Sequence, residues 1–298
     1  MSANPHSLAP GAYTALVTPF DAAGAVDHTC MLRLAQRQLA AGIAGLALFG
    51  CTGEEATMPL ADRLAVLAAL RAGLPADTVL IAAGGASDTG TAVELARALG
   101  DAGASAILSV VPPYNRPVPA GLRAHFTAVA DASPVPVILS NVPGRTGCAL
   151  DLDTAIALAA HPNIAGIDDG SGDLGFAMRL IRADVPGFMV FSGEDELTMA
   201  MMAHGGHGAL SLVSNQVPAQ VAQLVAHMAA GNLAGARVLH DAILDLAAFN
   251  YCETNPAPVK AALAMTGLIE DRLRLPLVPL SDGHRPALRA RLAELSLI

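Results

Sequence analysis

Short, continuously apolar runs recur along the chain at Tyr13–Thr18, Gly45–Phe49, Val79–Ala83, Ala106–Val110, Val137–Ser140, Ile164–Asp168, Met189–Ser192 and Gly208–Ser211. They do not alternate with polar positions, as strands with one wet face do. They fit strands covered on both faces, as in a parallel sheet. Between them lie segments with Ala and Leu at most interior positions, which predict helices over Cys30–Ala41, Leu60–Ala72, Ala92–Gly100, Leu122–Ala130 and Thr154–Ala160. Thr89 with Glu94, and Asp151 with Asp153, supply helix start signals. Eight strand–helix units of roughly 25–35 residues fill about 230 residues, the count and length of a (β/α)₈ TIM barrel. The barrel is therefore expected over residues 1–229. Residues 230–298 carry helical patterns only (Ala234–Phe249, Pro256–Thr266, Arg285–Leu295) and predict a C-terminal helical region. A doubly wound sheet is the alternative, but no G-x-G-x-x-G follows the first strand.

Composition narrows the function. The chain is 53% hydrophobic but only 3% aromatic, so its core must be packed with aliphatic side chains. A formal net charge of −9 argues against a nucleic-acid or anionic-membrane partner, since both need basic patches. The four cysteines are far apart without a C-x-x-C pair, which fits neither a zinc site nor a disulfide framework; a cytoplasmic protein is expected. The first six residues lack a basic stretch leading into an apolar one, so no signal peptide is expected. Apolar stretches such as Ile43–Phe49 are too short to span a bilayer. Of the 17 Lys plus Arg residues one is a lysine, Lys260.

In a barrel of this kind function sits on the loops after the strands. Those loops carry Gly50-Cys51-Thr52-Gly53-Glu54-Glu55, Pro112–Pro117, Ser140–Gly147 and Asp168–Asp173. No metal or cofactor is expected. His204 and His207, on the turn into the eighth strand, read as structural histidines. Asp168 and Asp169 are adjacent on a strand and point to opposite faces, which argues against a joint metal site with Asp173. Glu194, Asp195 and Glu196 suit the start of a helix, where acids complement the dipole.

The loop segments resemble the dihydrodipicolinate synthase and N-acetylneuraminate lyase family. Gly50–Glu54 is similar to that family's G-T-T-G-E, Tyr114–Pro117 to its Y-N-R-P, and Asn141–Gly147 to its Y-N-V-P-G-R-T-G without the tyrosine. Ile167–Leu174 is similar to I-K-E-x-S-G-D-L and Asn255–Lys260 to N-P-x-P-V-K. All five fall in family order and together span almost the whole chain.

The resemblance implies chemistry in which a lysine ending the sixth strand forms an imine with a 2-oxo acid. Here Asp168 stands at that position, and a carboxylate forms no imine. Ser140 stands where the family's proton-relay tyrosine would be, and Cys51 where the relay's threonine would be. Cys51 also invites a nucleophile reading, but no histidine lies in the adjoining motifs, so a small buried apolar residue is expected. Thr52 and the amides around Gly53 match a clamp for the ligand carboxylate, and Arg145 matches the arginine that pairs with a second carboxylate. Leu210, on the eighth strand, is placed with Cys51, Thr52, Gly53 and Arg145 among the substrate-binding candidates. Asp168, Ser140 and Tyr114 are the catalytic candidates. Tyr114 matches a tyrosine that reaches into a neighbouring subunit's site, which implies a homo-oligomer, most simply a tetramer. Lys260 matches a lysine of the C-terminal helical region and is expected to be an ordinary protonated amine.

Two functions follow from these residues. One is a lyase-family enzyme that binds a small carboxylate or 2-oxo acid and works without an imine, with Asp168 as a base or hydrogen-bond partner. The other is a non-catalytic ligand-binding or scaffold paralogue. Dihydrodipicolinate synthesis itself is improbable chemistry for either.

Overall fold

The computed structural model describes residues 8–298; residues 1–7, on which the signal-peptide expectation rests, lie outside it. Eight parallel strands follow chain order round a closed barrel. They are β1 (Gly11–Ala15), β2 (Gly45–Leu48), β3 (Val79–Ala83), β4 (Ala106–Val110), β5 (Val137–Asn141), β6 (Ile164–Asp169), β7 (Met189–Ser192) and β8 (Gly208–Ser211). Strands β2 and β5 are buried at every position, which is why their sequences read as continuous apolar runs. With its C-terminal helices, this is the expected (β/α)₈ fold. No helix among the described residues is long and apolar enough to cross a membrane.

The helices that follow the early strands are α1 (His28–Ala40), α2 (Leu60–Gly73), α3 (Thr89–Asp101) and α4 (Pro119–Ala132). After β5 come a single turn, α5 (Pro143–Thr146), and α6 (Leu152–Ala159). Next are α7 (Leu174–Arg182), α8 (Thr198–Ala203) and α9 (Pro218–Ala229). The C-terminal helices are α10 (Leu233–Phe249), α11 (Ala257–Met265) and α12 (Arg285–Glu294). Helices α1, α3, α4 and α6 start a few residues earlier than the apolar patterns predict, whereas α2 and α12 start at Leu60 and Arg285 as expected. Asp88, not Thr89, caps α3 by accepting from the Thr91 amide at 2.9 Å. Pro119 opens α4, where its missing N–H is no loss.

Contacts divide the chain into two compact units. Among the described residues, one comprises 8–11 and 77–210, the other 12–76 and 211–298. In the first, β3 to β8 run side by side, and Ser140 on β5 is in register with Asp168 on β6 and Asp168 with Phe191 on β7. Here His207 has the structural role expected of it. Its carbonyl accepts from Gly11, and its Nδ1 accepts from the Val190 amide at 3.1 Å. The second unit holds β1, β2 and the C-terminal helices. In it Asn215 braces β1, accepting from the Val17 amide at 3.1 Å and donating to the Ala15 carbonyl at 2.7 Å.

Candidate active site

In the first unit the site is built from the last residues of β5 and β6. Residues in register on neighbouring parallel strands point the same way, and successive residues point oppositely. Ser140 therefore shares a face with Asp168, and Asn141 with Asp169. The Ser140 hydroxyl donates to Asp168 Oδ2 at 3.1 Å. Asn141 Nδ2 donates to Asp169 Oδ1 at 2.9 Å, and the Ser171 hydroxyl to Asp169 Oδ2 at 3.1 Å. Asn141 Oδ1 in turn accepts from the Leu150 amide at 3.0 Å. Asp169 is thus a satisfied brace between the strand and its loop. Asp173 caps α7, accepting from the Phe176 amide at 2.9 Å. The three aspartates serve three separate purposes.

Asp168 is different. It is only 7% exposed, and its Oδ1 is buried without a hydrogen-bond partner. Burial pushes its carboxyl up to about 7; the Ser140 hydrogen bond opposes this, while the neighbouring charges of Asp169 and Glu194 add to it. Two glycines make the arrangement possible. A Cβ on Gly193 would lie 2.6 Å from Asp168 Oδ1 and 2.8 Å from the Gly170 nitrogen, distances real side chains do not adopt. Nothing in the sequence marks Gly193 or Glu194 as neighbours of Asp168. Their only signal is their place just beyond the strand next to β6.

The raised carboxyl makes a stability statement. Because the folded value of about 7 lies above the ordinary carboxylate value, the native state holds a proton that the unfolded chain has released between those pH values. Stability attributable to Asp168 is therefore full at low pH and lost as pH rises through about 7. Asp168→Asn, which fixes the neutral form, should stabilise the protein by roughly 3–4 kcal/mol at pH 8 and by almost nothing at pH 4. Urea denaturation at both pH values reads this. Equal effects at the two values would refute it.

In the second unit a tight turn, Cys51–Gly53, follows β2 and closes on Glu54, whose φ of 61° is left-handed. Thr52 is buried and accepts a hydrogen bond on Oγ1 from Asn255 Nδ2 at 3.0 Å. With that lone pair taken, the Thr52 O–H is left to donate. The Gly53 amide is used inside the turn, on the Gly50 carbonyl, and the Glu54 amide is used on Cys51. The Gly53 amide, expected to join a ligand clamp, is thus already engaged within the turn. Cys51 was expected to be buried but is partly exposed, because it opens the turn rather than filling the barrel. The turn is pinned from behind: Glu54 Oε1 meets Lys260 Nζ at 2.5 Å, and Oε2 accepts from the Arg274 amide at 2.9 Å.

Lys260 corrects an expectation. It is not an ordinary amine but fully buried, donating also to the Arg272 carbonyl at 2.7 Å and lying 4.2 Å from the centre of the Phe20 ring. Burial lowers its pKa, against the opposing pull of Glu54.

The remaining candidates are dispersed. Arg145 lies exposed in the short helix α5. Leu210 is buried within β8. Tyr114 is 91% exposed with a φ of 72°, and it has no side-chain hydrogen bond among the described residues. Its expected role in a neighbour's site concerns an assembly, not this chain alone.

The molecule is thus a (β/α)₈ barrel whose fifth and sixth strands end in a hydroxyl–carboxyl pair. Residues 9–295 match the dihydrodipicolinate synthetase family model, and the chain belongs to that family. The 4-hydroxy-tetrahydrodipicolinate synthase of Prosthecochloris aestuarii is 41% identical over 292 residues, covering 97% of each chain. Among solved structures, the chloride-inhibited dihydrodipicolinate synthase of Acinetobacter baumannii complexed with pyruvate is 37% identical. It superposes with a TM-score of 0.95 over 98% of this chain and 100% of that one. The enzyme from Cyanidioschyzon merolae with lysine bound is 33% identical, with a TM-score of 0.93 over 97% of this chain and 98% of that one.

Proposed function

We propose that this chain is a lyase-family enzyme that binds a small carboxylate or 2-oxo acid and acts on it by proton transfer, without a lysine Schiff base. The observation that carries the reading is the buried carboxyl at the end of β6, held near neutrality by burial and neighbouring acids. A group with that pKa serves as a general acid below about pH 7 and a general base above it. A buried acid of this kind lowers stability at neutral pH, and such groups are concentrated at functional sites. The pyruvate complex of the Acinetobacter relative supports a 2-oxo acid as the ligand class. Asp168 removes a proton from the carbon beside the keto group, leaving an enolate, and returns it. Dehydration that expels a hydroxyl from the next carbon follows the same first step.

Lys260 offers no imine route. Its amine is sealed from solvent and engaged by Glu54 and the Arg272 carbonyl. Incubation with pyruvate and borohydride should leave the intact mass unchanged, because borohydride traps only an iminium. In deuterium oxide the same mixture without borohydride should show exchange of the pyruvate methyl protons, lost in Asp168→Asn. A reduced adduct mapped to Lys260, rather than to the α-amino group, would overturn the first claim. Failure of exchange, together with inertness toward larger 2-oxo acids, would overturn the second.

A further inference from the structure

We infer that Asp168 receives a protonated nitrogen of the ligand, so that the site selects a 2-amino or 2-imino acid over the 2-oxo acid of the same skeleton. The inference rests on the reading that Asp168 faces the bound ligand, and it adds which atom the ligand presents there.

The argument begins with what surrounds the carboxyl. On β5 its register partner is Ser140, a neutral hydroxyl; on β7 it is Phe191, a hydrocarbon ring. Ser140 supplies its only hydrogen bond among the described residues, and that goes to Oδ2. Oδ1 is buried and unpartnered. The charged groups that act on Asp168 are Asp169, next along β6, and Glu194, just beyond β7, and both are acids. Gly193 leaves the room that Asp168 occupies, and Glu194 lies near Gly170. A Cβ on Gly193 would meet Asp168 Oδ1 at 2.6 Å, and one on Gly170 would lie 3.8 Å from Glu194 Oε1.

Among the described residues no base acts on Asp168, so the local potential is negative and its carboxyl is short of donors. Asp169 is already satisfied by Asn141 and Ser171; Asp168 is the member left short. A keto oxygen only accepts hydrogen bonds and gives an ionised carboxylate nothing. A protonated nitrogen supplies both the missing charge and the missing N–H donors, the stronger kind of hydrogen bond.

This assignment fixes a pH signature. A cation favours the ionised form, so binding draws the proton off Asp168. For an acid near pKa 7 the ionised fraction grows about tenfold between pH 6 and pH 8. Affinity for an amine should rise about tenfold over that range. Proton release should approach one per ligand at pH 6 and vanish at pH 8. Pyruvate, an anion without a nitrogen, should show a flat or falling affinity.

Calorimetry at pH 6, 7 and 8, in buffers of different ionisation enthalpy, tests this with L-alanine, D-alanine and pyruvate. The three share one carbon skeleton, and the amino groups stay protonated throughout. The full-length protein and Asp168→Asn, checked for native circular dichroism, are compared. The expected result is binding of an alanine with a tenfold rise in affinity and matching proton release. In Asp168→Asn both should be lost, with the alanine weakened at least tenfold more than pyruvate. Binding of pyruvate but of neither alanine overturns the inference and leaves the function standing. An alanine bound without pH dependence, or equally well by Asp168→Asn, also overturns it. Binding of none of the three overturns both.

Discussion

Lys260→Met should cost about 3–5 kcal/mol of folding stability, the loss typical when one member of a buried ion pair is removed. Neither Lys260 nor Glu54 retains exposed side-chain surface, so the abandoned carboxylate cannot turn to water. The Arg274 amide would still serve Glu54 Oε2, but Oε1 would have lost its cation. Lys260→Arg should not rescue. The slot is bounded by Glu54, the Arg272 carbonyl and the face of Phe20, a geometry that suits a compact ammonium with rotatable donors. A planar fork has a different shape and fixed donor directions. That mismatch is a physical reason for one lysine to persist in a chain whose other side-chain cations are arginines. Adding Glu54→Gln to Lys260→Met removes the stranded charge and should recover most of the loss. Urea denaturation of the three variants measures all of this. A Lys260→Met cost below about 1 kcal/mol, the range of exposed pairs, would show the pair to be dispensable.

Strand positions were the most legible feature of the sequence. The runs at Val79–Ala83, Ala106–Val110, Met189–Ser192 and Gly208–Ser211 are strands with those same ends. The first run, Tyr13–Thr18, overshot, because Leu16 to Thr18 stay buried after the strand itself ends at Ala15. Apolarity marks burial, and burial continues past the ladder. Helices α3 and α4 start ahead of their apolar patterns for a related reason: the cap Asp88 and Pro119, the first residue of α4, contribute nothing to those patterns.

The candidate site was legible only where its parts are close in sequence or carried by the family motifs. Asp168 and Ser140 stood out as substitutions within known segments, but their hydrogen bond needs the β5–β6 register. Glu194 acts on Asp168 from beyond the next strand, and nothing in its acidic stretch distinguished it from a helix-start acid. Lys260 was misread because its partner Glu54 lies 206 residues away. A lone lysine in an Ala-rich helix gives no hint that it is the interior end of an ion pair.

The second large effect concerns the imine chemistry that the family resemblance implies. Asp168→Lys should acquire only weak borohydride trapping with pyruvate, well below what a lysine in a competent site would give. The new amine would replace a carboxyl flanked by Asp169 and Glu194, and those acids hold an ammonium in its protonated, non-nucleophilic form. Burial acts the other way, favouring the neutral amine, so trapping should grow as pH is raised from 7 to 9. Space is a second obstacle, since the side chain enters a place where Gly193 leaves room for a carboxyl oxygen and little more. The resemblance implies a larger deficit in proton delivery. Imine formation needs a proton delivered to the departing water, and Ser140 stands where the family resemblance places a tyrosine. Adding Ser140→Tyr to Asp168→Lys should raise the trapping rate about 100-fold over the single variant, the ordinary worth of positioned acid–base catalysis. Ser140→Tyr alone, on a background that keeps Asp168, should leave trapping at zero. Residues that act as one unit give this pattern, in which partial restoration gains little and complete restoration gains much. Single-turnover trapping followed by intact mass, with the adduct mapped to position 168, is the measurement. Asp168→Lys alone trapping as fast as the double variant would show that position 140 has no part in the site.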